Sequence, residues 1–261
     1  MNMPLPRTLP KVGVAIFALA AGGLFGCATA PAPAPDTAPS ADPASADWPA
    51  FAQPAANETV YRVDESASAL LARVDPSGPM ARLGHSHVVG GAVLSGRIVT
   101  GAAAPRAEVH VRVRDLAVDR PAWRRAHGLK AELDASAIEG TRRNLLGPRV
   151  MDAESHPRID VRSVAVSGPA WLPEVELAIR WRGRVRQFGV PVAIRLDGER
   201  IEAVGRFDLR HSDFGLDPFS AAGGALRVSD RIQIRFRIVA TAVASDVAII
   251  ADQPMNPGTP P

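Results

Sequence analysis

Two histidines, His85 and His87, stand one residue apart just ahead of an apolar run, in a chain of 261 residues that holds six histidines. On a strand, residues two apart face the same side, so this pair can share a face and chelate a metal. Two imidazoles alone make a weak site. Cys27 is the single cysteine, which removes both a Cys-based zinc centre and an intrachain disulfide. His110, His127, His156 and His211 fall at no ligand-like spacing from the pair. Two further readings stand beside chelation: imidazoles satisfied by backbone at a rim, and imidazoles that line a pocket and hydrogen-bond a ligand's polar head. Gly90-Gly91 follows directly and blurs the strand parity that would choose between an inward and an outward pair.

Other chemistry is thinner. Asp213, Asp217 and Asp230 with His211 suggest hydrolysis, but no Ser or Cys sits in a G-x-S-x-G turn to act as nucleophile. Asp213-Phe214-Gly215 lacks the Gly-rich and catalytic loops that give this tripeptide meaning in kinases. Arg142 and Arg143 form a pair that can meet a phosphate headgroup or simply make the solvated face of a helix. Net charge is +3 and only Lys11 and Lys130 are lysines, so the cations are almost all Arg. A pI near 9.7 allows contact with anionic surfaces. No basic run interleaved with aromatics follows it up, so nucleic acid is not an expected partner.

The elements that carry these residues read mostly as strands. In AEVHVRVRD, Val109, Val111 and Val113 share one face against Glu108, His110, Arg112 and Arg114. VELAIRW puts Val175, Leu177, Ile179 and Trp181 on one face, and RIQIRFRI does the same with Ile232, Ile234, Phe236 and Ile238. Eight strands are expected near 60–64, 69–74, 87–98, 107–115, 159–166, 174–181, 185–196 and 201–209, with a last one at 227–243. Arg182-Gly183-Arg184 and Asp197-Gly198-Glu199 are short enough for hairpin turns. An all-β chain with hairpin connections predicts a sandwich or a barrel. Between Pro121 and Pro157 the pattern becomes helical, with Ser136 and Glu139 as a capping box, a solvated side of Glu132, Asp134 and Glu139, and Ile138, Leu145 and Leu146 near one stripe. One or two helices inserted there can lid a barrel mouth.

The ends read differently. Arg7 and Lys11 precede an apolar stretch of signal-peptide length that meets Cys27. Leu24-Phe25-Gly26-Cys27 resembles a bacterial lipobox, which implies a signal peptide over 1–26, acylation of Cys27 and a membrane tether. Ala28 in place of Asp, by similarity to proteobacterial lipoproteins, favours the outer membrane and the periplasmic face of the envelope. Residues 27–57 are a Pro/Ala-rich linker, 58–243 the folded domain and 244–261 a frayed tail.

Several words in order carry a family resemblance. They are Tyr61-Arg62-Val63-Asp64 with Ser68, Gly84 to Gly90, Asn144 to Asp152 with His156-Pro157-Arg158-Ile159, and Phe207 to Leu216 followed by Val228 to Ile232. Together they resemble the YceI-like family of periplasmic polyisoprenoid-binding proteins. The resemblance implies an extended, lipocalin-like, eight-stranded antiparallel barrel with a helical insertion and an elongated apolar cavity. It implies a binding module for a long-chain amphiphile, with no enzymatic act and no cofactor. The lining expected from it includes His85, His87, Val89, Val111, Val113, Ile179, Trp181, Phe207 and Phe214, with Arg142 and Arg143 at the headgroup. The alternative is a periplasmic metal or redox-partner protein using His85 and His87. The sequence sets no oligomeric state.

Overall fold

In the computed structural model of the protein, residues 48–101, 104–129 and 133–243 are described. The expected signal peptide, Cys27, Glu132 and the tail at 244–261 lie outside them. The alternating segments become strands β1 (Glu58–Val63), β2 (Ala69–Ser77), β3 (His87–Gly91), β4 (Leu94–Gly101), β5 (Arg106–Arg112) and the two-residue β6 (Ala117–Val118). Helices α1 (Pro121–Ala126) and α2 (Ala135–Leu146) follow. Then come β7 (Arg158–Ser167), β8 (Glu174–Trp181), β9 (Arg184–Asp197), β10 (Arg200–Arg210), the short β11 (Ser220–Ala221) and β12 (Leu226–Ala242).

All ladders are antiparallel, and they run β1–β4–β5–β7–β8–β9–β10–β12 and back to β1. That ring is a closed eight-strand barrel. β2 and β3 continue β1 and β4 along its lower half: Tyr61 faces Ala242 on β12, whereas Ala72 faces Ile234 farther down the same strand. Closure removes the free sheet edges that would otherwise template aggregation. Between β1 and β2 the chain turns away from the ladder. The Asp64 carboxylate collects the turn by accepting from Ser66 N at 3.0 Å, Ser66 Oγ at 2.7 Å and Ala67 N at 3.1 Å. The Ser68 hydroxyl then accepts from the buried Val239 N–H at 2.9 Å, where the strand itself is missing.

Several sequence expectations are corrected. The strand expected at 69–74 runs three residues farther, through Asp75-Pro76-Ser77. β12 absorbs the mismatch as a register shift between Val228 and Ile232. The single strand expected at 87–98 breaks after Gly91, because Gly90 and Gly91 adopt φ of 157° and 143°. A Cβ at Gly90 would lie 1.9 Å from Leu70 O, so only glycine allows β3 to approach β2 there. β5 stops at Arg112, and Val113–Asp115 form a 3-10 turn instead of a strand end. The helical insertion is two helices, and the cap of α2 is Asp134, not Ser136. Asp134 Oδ1 accepts from Ala137 N at 2.9 Å and from the Ser136 hydroxyl at 2.7 Å. Ile138, Leu145 and Leu146 pack against the barrel core as the stripe requires.

Residues 48–57, counted with the linker, lie along the outside of the wall. Arg162 and Arg180 stack on Trp48 at 4.7 and 4.4 Å, and Arg97 covers Phe51 at 4.6 Å. Cation–π contact and backbone hydrogen bonds hold this strap. Arg106 donates to Ala52 O and Gln53 O, each at 3.2 Å, and Arg162 to Pro49 O. Where the strap enters β1, Arg106 grips Glu58 with two bonds of 2.7 and 2.8 Å.

The Arg106 fork, together with the Ala55 N–H, holds the Glu58 carboxyl down to about 2, against an ordinary value of 4.5. A depressed carboxylate stabilises the fold fully above its unfolded value and loses that contribution as pH falls towards its folded one. Thermal melts of Glu58→Gln should therefore sit below wild type at pH 6, and the gap should close as pH falls from about 4.5 towards 2.

Candidate functional site

Eight strands enclose an interior that bulky side chains can fill or that smaller ones leave hollow. Here the inward positions carry Val, Ile, Leu and Ala, and a cavity of about 510 Å³ runs through the barrel. That volume falls within the roughly 300–1,000 Å³ of small-molecule sites. Its apolar wall comes from the alternation itself: Leu177 and Ile179 on β8, Ile234 and Phe236 on β12, Val109 and Val111 on β5. Three large hydrophobic lining residues are strongly solvent-exposed, Leu196 at 55%, Ile194 at 45% and Val166 at 42%, and the exposed Pro105 joins the lining, so the cavity opens at their end. At the opposite end α2 lies over the barrel and adds Thr141, Asn144 and Leu145 to the lining.

The polar groups gather near the α2 end. His87, first residue of β3, lines the cavity, and its Nδ1 lies 2.6 Å from Asp119 Oδ2. Asp119 is fully buried after β6, and its Oδ1 accepts from Val88 N at 2.9 Å and from Arg124 of α1 at 2.8 Å. Arg124 also donates to Ser86 O at 2.8 Å, which ties the loop ahead of β3 to the same group. Burial pushes Asp119 up, but the hydrogen bonds from His87, Val88 N–H and Arg124 together outweigh it and hold its carboxyl below the usual range. An ionised carboxylate only accepts, so Nδ1 carries the proton and Nε2 is the imidazole nitrogen left for a ligand. The position has a conformational cost, since Asp119 sits at φ 52°, where a non-glycine residue is strained. A second imidazole, His211, also lines the cavity. Burial lowers its pKa, and its Nδ1 lies 3.1 Å from Asp230 O, so it stands neutral at pH 7 as a hydrogen-bonding wall group.

The residues expected from sequence divide in two. His87, Val89, Val111, Ile179, Trp181 and Phe207 face the cavity. His85 does not: it is exposed on the loop before β3, so the His-x-His pair shares no face. Among the described residues, no three His, Cys, Asp or Glu side chains converge as metal ligands. Val113 and Phe214 are fully buried behind the wall. Val113 left the strand face when β5 turned into its 3-10 turn, and Phe214 packs at a tilt on Trp181 with ring centroids 5.3 Å apart. Arg142 and Arg143 do not reach the cavity either. Arg142 donates to Arg114 O and Leu116 O at 2.9 and 3.3 Å, and Arg143 pairs on the surface with Glu139 at 3.6 Å. Sequence reasoning missed Asp119, Arg124 and Asn144. Pro121 bounds the helical region two residues later, but nothing local connects Asp119 to a histidine 32 residues earlier.

Hollow barrel, apolar lumen, one covered end and one open mouth define a lipocalin-type barrel. Residues 61–240 match the YceI-like domain family, and the chain belongs to it. The crystal structure of Burkholderia cenocepacia BcnA superposes with a TM-score of 0.51 at 18% identity, covering 69% of this chain and 99% of that one. A mutant CJ YceI protein solved with a monobromobimane guest gives 0.43 at 12% identity, over 58% and 82% of the two chains. No curated protein matches the chain.

Asp119→Ala leaves the buried Arg124 guanidinium without its carboxylate. The substitution should cost about 3 kcal/mol or more in chemical unfolding, well beyond an exposed control such as Asp208→Ala.

Proposed function

We propose that the protein is an envelope lipoprotein that sequesters one long-chain amphiphile, a polyisoprenoid or similar lipid, in the barrel cavity. The observation that carries this reading is the apolar cavity itself, about 510 Å³ and open at one end. Burying hydrocarbon there gains about 0.8 kcal/mol per methylene, so a tail of ten carbons gains roughly 8 kcal/mol before the cost of ordering it. The wall is mostly aliphatic, with Trp181, Phe207, Phe219 and Phe236 as its aromatic members, which suits a bendable hydrocarbon chain better than a planar ring. His87 Nε2 with Asn144 and Thr141 supplies hydrogen bonds for a polar head at the α2 end, while the tail extends toward Ile194 and Leu196. The role is binding and release rather than catalysis. Acylated Cys27 and the Pro/Ala-rich linker would tether the barrel on the periplasmic side, at the outer membrane.

Native mass spectrometry of the protein, followed by solvent extraction, should release a lipid-like molecule of one-to-one stoichiometry. In Ala203→Trp, whose new ring enters the lumen, that mass should be absent or reduced at least about tenfold. Protein that never carries an extractable apolar molecule, and takes none up from micelles, ends the proposal. For the tether, Cys27→Ser should move the protein from the membrane to the soluble periplasmic fraction, and retention in the membrane would refute acylation at this residue.

A further inference from the structure

Outside the barrel, a polar cleft of about 610 Å³ lies between the ends of β5, β7 and β8 and the loop before β7. Arg112, Arg114, Arg158, Arg180 and Arg182 line it, with His156. Arg112 and Arg158 stand directly opposite each other on β5 and β7, an arrangement of like charges that is unfavourable unless anions sit between. Part of the compensation is internal. Arg112 bonds Asp115 at 2.7 Å and Glu65 at 3.0 Å, while Asp160 takes Arg158 at 2.8 Å and Arg180 at 2.5 Å. Trp48 of the strap stacks on the Arg180 guanidinium at 4.4 Å.

Arg114 and Arg182 are different. Both reach the loop before β7 and donate to backbone carbonyls, Arg114 to Ala153 O at 3.2 Å and Arg182 to Val150 O at 3.0 Å. Among the described residues no carboxylate pairs with either. The five guanidinium groups meet three carboxylates, Asp115, Glu65 and Asp160, and a fourth, Asp152, stands 3.9 Å from the lining His156, so the concave surface keeps a net positive charge. A guanidinium fixed through one edge keeps its other N–H groups in a planar fork that matches tetrahedral oxyanions.

We propose that this cleft is a binding site for a phosphate-bearing ligand, separate from the lumen and independent of what the lumen holds. A phosphate group answers the positive charge that Arg114 and Arg182 leave, and its oxygens accept from both. The phosphate belongs either to a free phosphate compound or to a lipid headgroup, and the shared chemistry is the phosphate itself.

Calorimetry of the full chain with inorganic pyrophosphate at low salt tests it, alongside co-sedimentation with vesicles of phosphatidylglycerol or of phosphatidylcholine. The site predicts saturable, salt-sensitive pyrophosphate binding that weakens about tenfold in Arg114→Gln/Arg182→Gln. Glutamine keeps an N–H for each loop carbonyl, and an unchanged melting temperature establishes that the double variant is folded. Arg112→Gln, at the half-buried end of β5, should weaken binding without touching the loop. If the extra retention on phosphatidylglycerol over phosphatidylcholine also falls in these variants, the phosphate is a headgroup; if only pyrophosphate binding falls, it is soluble. Wild-type protein that binds neither probe, or folded variants that bind both as well as wild type, overturns the proposal.

Discussion

The structure depends on β12 being paired along both edges at once. One side carries an eleven-residue ladder with β10, and the other is shared between β1 and β2. Because a backbone strand cannot leave N–H groups buried and unpaired, the gap between β1 and β2 has to be bridged, and Ser68 Oγ does so at Val239 N. Closing the ring in this way sets the strand number at eight, and strand number sets the width of the lumen. Small and β-branched side chains at that width do not meet in the middle. The cavity is therefore a consequence of closure combined with side-chain volume.

The two ends of the barrel differ for reasons of chain connectivity. At one end the longest connection among the described residues, from β6 to β7, contributes α1 and α2 and lays an amphipathic helix over the opening. Its stripe of Ile138, Leu145 and Leu146 is buried against the core, and its cap, Asp134, fixes where it starts. At the other end tight hairpins leave Ile194 and Leu196 facing both lumen and solvent. Polarity follows the same division, since the buried Asp119 that orients His87 arrives on the segment leading into α1. A covered polar end and an open apolar end suit a molecule with a head and a tail.

On the β4–β5–β7–β8 side of the outer wall, charge is organised as cross-strand rows. Arg97, Glu108 and Arg162 line up across β4, β5 and β7, and His110, Asp160 and Arg180 across β5, β7 and β8. The bond from Arg180 and that from His110 to Asp160 outweigh its burial and lower its pKa. Aromatic residues ahead of β1 stack on these guanidinium groups, which is why ten residues of a Pro-rich segment adhere to the barrel. Arginine does this where lysine would not, because its flat, weakly hydrated cation can stack and hydrogen-bond at once.

Period-two alternation by itself determined the class of fold, most strand positions and the inward faces of β8 and β12, because a half-buried strand must alternate whatever its neighbours are. It also put Val111, Ile179 and Trp181 on the apolar faces of their strands, and these residues line the lumen; Val89 and Phe207, which line it too, were expected only from the family resemblance. Where backbone geometry left the regular strand, parity failed: Gly90-Gly91 and the turn at Val113–Asp115 changed the faces of residues that the pattern had aligned. Tertiary structure alone decided that His85 and His87 part company, that Asp119 and Arg124 stand behind His87, and that Arg142 binds backbone carbonyls. Each of these depends on segments brought together over tens of residues by ring closure, and such contacts leave no local periodicity in the chain.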